Sequence, residues 1–268
     1  MSPLPSPRHA FADNADGDPI GLEIHGPVAV ATMARAPVNA LDDAMLHALD
    51  GVLRHIENTP SISVLRIRSA RKVFCAGADL RMVGERLSKP SGPDEMVATV
   101  RLFHSVYDRL AALPAVSIAE IEGHALGGGL ELALACDLRI VAPEALLGLP
   151  EAKVGLLPGA GGTQRLALLC GPGVASRIIL AGDLVDGREA ERIGLVQWCV
   201  EKAAFAERAQ AVARKISGFS AEALREAKAC IGIVSALSPK GAAAEISGIG
   251  RLMRLEETNG RVAAFLGN

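Results

Sequence analysis

HALGGGLELALACD, from His124 to Asp137, sets three consecutive glycines directly before a run that reads as a helix. In that run Leu130, Leu132, Ala133, Leu134 and Ala135 are apolar, and Glu131 is the one charged side chain. The start of a helix leaves backbone N–H groups without partners and carries a partial positive charge, so it suits an oxyanion. Glycine has no Cβ, so a ligand can come close to that backbone. Glu131 follows Gly128 by three positions, on the same helical face, and helical side chains lean toward the N-terminus. A carboxylate is thereby aimed at the place where the N–H groups can hold an oxygen.

Working outward, Val116–Ile121 reads as a buried strand feeding the glycines and Leu138–Val141 as the strand that follows them. Upstream, Val28–Met33 and 63–69 read as strands. Asp42 is placed to cap a helix over 45–56, and further helices are expected at Leu80–Leu87 and 96–113. Strands this apolar, alternating with helices, predict an α/β fold whose helices cover both faces of a sheet. Beyond residue 200 no strand pattern remains, and helices are expected at 203–216, 221–234, 240–255 and 260–266. The expected organisation is a tail over 1–20, a core over 21–200 and a helical region over 201–268.

The formal net charge is −2, half the residues are apolar, and aromatics are scarce, with one Trp, one Tyr and six Phe. That balance gives no electrostatic footprint for nucleic acid or an anionic membrane, and few platforms for stacking bases. No apolar run approaches the ~20 residues of a membrane helix. The five cysteines are scattered with no CxxC pair, and the six histidines form no i, i+4 pair, so no metal site is expected. With no signal-like segment at the N-terminus, a cytoplasmic location is expected.

Ala76-Gly77-Ala78 matches the glycines in physical type, because in both places small residues stand where an apolar strand gives way to a helix. One N–H from each turn can bind the same oxygen if the turns converge; otherwise both are tight turns of an α/β fold. Glu131 needs a partner for proton chemistry, and Glu151, after Pro150, is the candidate, since two carboxylates in an apolar pocket can divide acid and base roles. Gly159-Ala160-Gly161-Gly162 departs from a dinucleotide fingerprint and follows a loop, and neither a P-loop nor a G-x-S-x-G elbow is present. Lys153 and Arg165 are candidates for a phosphate-bearing ligand or for surface charge.

Taken in order, these segments resemble the crotonase (enoyl-CoA hydratase/isomerase) superfamily over about 28–266. The series runs Arg35-Ala36-Pro37-Val38-Asn39-Ala40-Leu41, Phe74-Cys75-Ala76-Gly77-Ala78-Asp79-Leu80, then Gly123 to Ala133 with Cys136-Asp137 behind, Leu149-Pro150-Glu151, and Gly155 to Arg165. The resemblance implies a crotonase-like spiral of ββα turns with a C-terminal all-helical region that joins chains into trimers or hexamers. It implies an acyl-CoA thioester as ligand, with its carbonyl oxygen between the N–H groups of Ala78 and Gly128. CoA would pass Ala36, Val38, Ala76, Gly77, Asp79, Leu80 and Gly127. It also implies Glu131 and Glu151 as the catalytic pair of the hydratase branch, adding water syn to a trans-2-enoyl-CoA with no metal or redox cofactor. Double-bond isomerisation, methylglutaconyl-CoA hydration, or a non-catalytic CoA- or RNA-binding role are the alternatives. The segment Ala119-Glu120-Ile121-Glu122-Gly123 is more acidic than the family's usual Val-Asn-Gly, and an inward Glu120 or Glu122 would alter substrate preference.

Overall fold

The structure, a computed structural model, describes residues 8–9, 18–235 and 238–267. Among the described residues, Arg8–His9 (β1), Ile20–His25 (β2) and Val28–Met33 (β3) open an antiparallel edge, with Arg8 opposite Ile24 and Ile20 opposite Met33. Most of the tail expected over 1–20 lies outside the described residues. From β3 the sheet continues in parallel through Val64–Ser69 (β4), Val116–Ile121 (β5), Leu138–Val141 (β7) and Trp198–Cys199 (β9). β5 is buried along its whole length and the first four residues of β4 are buried, as parallel strands covered on both faces must be.

Between the long strands the chain touches a second, shorter ribbon. Ala125–Leu126 (β6) pairs in parallel with Leu147–Gly148 (β8), and single-residue bridges Leu41 to Ala78, Cys75 to Ala125 and Leu147 to Val185 extend the ribbon on either side. Each coil of the chain therefore lays one strand in the sheet, one short contact in the ribbon, and returns through a helix. The returning helices are Asp43–Glu57 (α1), Leu80–Leu87 (α2), Gly92–Ala112 (α3), Gly128–Ala135 (α4), Gly162–Cys170 (α5), Pro172–Leu180 (α6) and Gly187–Arg192 (α7). This is the expected spiral of ββα turns.

α1 forms where Asp42 caps it: the carboxylate accepts the Met45 N–H at 2.9 Å, and Met45, Leu46, Leu49, Val52, Leu53 and Ile56 fall on one buried face. Asp42 also pairs with Arg35 at 2.8 Å. Asp42→Ala is expected to cost about 1 kcal/mol, read as a lower urea midpoint at unchanged slope. Glu120 is paired within the sheet. It is buried on β5 and takes two hydrogen bonds from the Arg66 guanidinium on β4, which satisfies both charges inside the sheet layer. Glu122 is exposed just past β5.

The C-terminal region is helical, with Phe205–Ser217 (α8), Ala221–Ser235 (α9), Pro239–Leu252 (α10) and Glu256–Leu266 (α11). The helix expected over 240–255 stops at Leu252, because Leu255 is extended (φ −88°, ψ 135°) and serves as the cap of α11, which starts four residues earlier than the sequence pattern suggests. α10 packs along α3 and α11 against α2, so this region reaches back over the core.

Candidate active site

Gly127 takes φ 53°, ψ −131° where β6 turns into α4, a conformation that favours glycine. All eight residues of α4 are buried, including Glu131. The other small-residue turn lies against it. Gly77, at φ 92°, is so close that a Cβ there would stand 2.8 Å from the Leu126 carbonyl oxygen and 3.1 Å from the Gly128 nitrogen; a Cβ on Gly128 would stand 3.6 Å from the Ala78 nitrogen. The two turns therefore converge, which spacing alone left open.

Their N–H groups are free to act on a ligand. In the bridge to Leu41, the Leu41 N–H donates to Gly77 O and the Asp79 N–H donates to Leu41 O, so the Ala78 N–H faces the opposite side. Gly128 is the first residue of α4 and has no intrahelical acceptor. Neither N–H has an acceptor among the described residues. The turns are braced from behind: Tyr107 Oη donates to Gly128 O at 2.9 Å, the Leu126 N–H to Cys75 O at 3.0 Å, and the Ala76 N–H to Val38 O at 3.1 Å. Cys75 is wholly buried, and burial pushes its thiol up to about 12, so it packs as an apolar side chain.

Glu131 and Glu151 meet in the same cavity, of about 530 Å³. Glu131 Oε1 accepts the N–H groups of Ala160 and Gly162, each at 2.8 Å. Glu151 opens a 3-10 turn (Glu151–Val154), and its Oε1 lies 3.0 Å from where a Cβ on Gly127 would stand. Its Oε2 is buried with no hydrogen-bond partner among the described residues. Burial, with the Glu151 and Glu245 carboxylates nearby, pushes Glu131 up to about 8 against the pull of its two N–H donors. Burial also pushes Glu151 up to about 7. Each carboxyl lies within the electrostatic reach of the other, so their titrations are linked and both lie above the usual carboxylate range. Two N–H donors stabilise the ionised form of Glu131, while Glu151 Oε2 accepts no hydrogen bond among the described residues.

A carboxyl raised on folding contributes stability at pH below its unfolded value, about 4.5, and that stability is lost as pH rises through the folded value, here about 7 to 8. Glu151→Gln is therefore expected to raise the melting temperature at pH 8 and to leave it almost unchanged at pH 4, measured by thermal unfolding at both.

The rest of the cavity is apolar at one end, with Met96, Val100, Phe103, Leu157 and Ile249, while Lys153, Arg261 and Phe265 also line it. Ala76, Gly77, Ala78, Leu80, Gly127, Gly128, Glu131 and Glu151 all line it. Ala36, Val38 and Asp79 do not: Val38 backs the Ala76 turn, and Asp79 caps α2 by accepting the Arg81 N–H at 3.0 Å while pairing with Arg35. Arg165 is buried, donates to Ala160 O at 2.8 Å and pairs with Asp108, so it braces the loop. His124 sits behind the turn and takes the Leu146 N–H. The cavity also uses α10 and α11, through Ile249, Arg261, Ala264 and Phe265, so the lining extends past the 21–200 segment. Among the described residues, no cluster of three or more His, Cys, Asp or Glu has metal-binding geometry.

Residues 23–246 match the family model described as enoyl-CoA hydratase/isomerase. The chain belongs to the enoyl-CoA hydratase/isomerase family. A human relative, enoyl-CoA hydratase domain-containing protein 2, mitochondrial, is 42% identical over 198 residues, covering 72% of this chain and 66% of its own length. Mouse methylglutaconyl-CoA hydratase, mitochondrial, is 41% identical over 165 residues, 61% of this chain and 51% of that protein. Among solved structures, Pseudomonas aeruginosa DspI aligns with TM-score 0.77 at 36% identity over 96% of both chains. Enoyl-CoA hydratase from Bacillus anthracis aligns with TM-score 0.76 at 32% identity, over 93% of this chain and 97% of that one. Members of the enoyl-CoA hydratase/isomerase family act on acyl-CoA thioesters. No described helix is long and apolar enough to cross a membrane.

Proposed function

We propose that the protein is an enoyl-CoA hydratase that adds water syn across the double bond of a trans-2-enoyl-CoA, giving a 3-hydroxyacyl-CoA. The observation that carries this is the pairing of two buried carboxyls with two free, converging N–H groups in one cavity. The thioester oxygen lies between the N–H groups of Ala78 and Gly128, where the α4 dipole adds to the stabilisation of developing negative charge. Glu131 takes a proton from water as the water oxygen bonds to Cβ, and the π electrons move toward the thioester carbonyl. Glu151 delivers its proton to Cα as the enolate collapses. Glu131 ends protonated and Glu151 ionised; proton exchange with solvent restores the starting state, so atoms and charge balance without a metal or redox group.

The apolar end of the cavity, walled by Met96, Val100, Phe103, Leu157 and Ile249, favours a hydrocarbon acyl group. The same reading carries assembly as a homotrimer or hexamer, supported by exposed Leu168, Leu180 and Leu184 on the surface, and a cytoplasmic location consistent with five free cysteines. A spectrophotometric screen of purified protein tests the reaction. Loss of the conjugated thioester chromophore from crotonyl-CoA and longer trans-2-enoyl-CoAs is expected. Turnover of 3-enoyl-CoA into a conjugated product without hydration would assign an isomerase instead, and preference for methylglutaconyl-CoA would assign a hydratase of branched diacids.

A further inference from the structure

The three consecutive amides Ala160, Gly161 and Gly162 are divided between two carboxylates. Ala160 and Gly162 donate to Glu131, and Gly161, between them, donates to Glu245 Oε2 at 2.8 Å. Gly161 takes φ 92°, which turns its N–H away from those of its neighbours. Glu245 is 3% exposed, comes from α10 in the C-terminal region, and holds the loop a second time by accepting the Thr163 hydroxyl at Oε1. His104 Nε2, on α3, lies 3.2 Å from Glu245 Oε2, and His104 is itself buried. Arg165, on α5, ties the Ala160 carbonyl down and pairs with Asp108. Among the described residues, the titratable and charged groups placed around Glu245 by these contacts are His104 from α3, Glu131 across the loop, and Arg165 at the loop's far side.

We infer that Glu245 is a positioning residue for Glu131: by anchoring Gly161 and Thr163 it fixes the 159–163 loop so that two amides hold the Glu131 carboxylate in the orientation the water needs. A buried carboxylate costs free energy unless it is hydrogen-bonded, and among the described residues no Lys or Arg pairs with this one. The anchor gives that burial a purpose. The inference rests on the hydratase reading for its kinetic arm only, since the loop contacts stand without it.

Glu245→Gln keeps both contacts, because its amide oxygen accepts the Gly161 N–H and its NH2 can donate to Thr163 Oγ1; Glu245→Ala removes both. Thr163→Val removes one anchor while leaving Glu245 and its charge in place. In Glu245→Ala, kcat for crotonyl-CoA is expected to fall by roughly 10- to 100-fold, the equivalent of a lost charge-assisted hydrogen bond, with KM changed far less. Glu245→Gln is expected to recover most of that loss, and Thr163→Val to fall between the two. Amide exchange read on the peptide over 158–166, without substrate, is expected to quicken in Glu245→Ala and Thr163→Val and not in Glu245→Gln, with peptides of β3 and β4 unchanged in all. Unchanged exchange in Glu245→Ala, or an equal loss of kcat in the Gln and Ala variants, would overturn the inference. The expected exchange pattern across the variants, together with a wild-type protein that hydrates no enoyl-CoA, would overturn the hydratase reading while supporting the anchor.

Discussion

Glu131→Gln and Glu151→Gln are each expected to lower crotonyl-CoA hydration by about 1000-fold while leaving the affinity for a saturated acyl-CoA largely intact. Losing a positioned general acid or base typically costs 100- to 10,000-fold. The substitutions remove a proton site and little else. In Glu131→Gln the new side chain keeps an oxygen for the Ala160 and Gly162 N–H groups, which now hold Glu131 Oε1 at 2.8 Å. At position 151 the native side chain has no hydrogen bond to lose at Oε2. In the proposed mechanism the two carboxyls act on one water and one double bond, so the double variant is expected to lose little more than the worse single one. Either single variant retaining activity within about tenfold of wild type would remove that residue from the chemistry.

Gly77→Ala is expected to lower kcat by roughly 100- to 1000-fold, the usual loss for a missing oxyanion donor. The added methyl meets Leu126 O at 2.8 Å and Gly128 N at 3.1 Å, on a backbone at φ 92° that alanine rarely adopts. Backbone flanks it on both contacts, so the turns must part, and the Ala78 and Gly128 N–H groups separate with them. Gly171→Ala is the matched control: it is also at positive φ (83°), but a Cβ there meets nothing within 4 Å. Its strain is expected to lower stability and leave kcat unchanged. Activity in Gly77→Ala equal to that of Gly171→Ala would show that the turn convergence does not serve catalysis.

The parts legible in the sequence are those whose signal is local. Asp42 with the apolar face of α1, the apolar runs of β4 and β5, and the glycines before α4 each carry their structure in adjacent residues. β6 and β8 have two residues each and take their form from pairing with one another, so no periodicity announces them. α6, α7 and β9, between Pro172 and Cys199, are short and form against distant partners, as when Trp198 pairs with Ile140. At the site, the residue types were readable at Glu131, Glu151 and the two small-residue turns. Their meeting was not, because it depends on how successive coils stack. Gly159 to Gly162 departs from a dinucleotide fingerprint in sequence and carries no assigned role there, whereas the N–H groups of Ala160, Gly161 and Gly162 are spent on Glu131 and Glu245. Nothing near Glu245 in sequence marks it, since its loop partners lie more than eighty residues upstream.

The most direct test of the site is a crystal structure with butyryl-CoA, a saturated analogue that cannot be hydrated. The thioester oxygen is expected about 2.7–3.1 Å from both the Ala78 and Gly128 nitrogens, with Cβ facing a water held between Glu131 and Glu151. A thioester oxygen bound away from those two nitrogens, or a Cβ turned from the two carboxyls, would contradict the assignment.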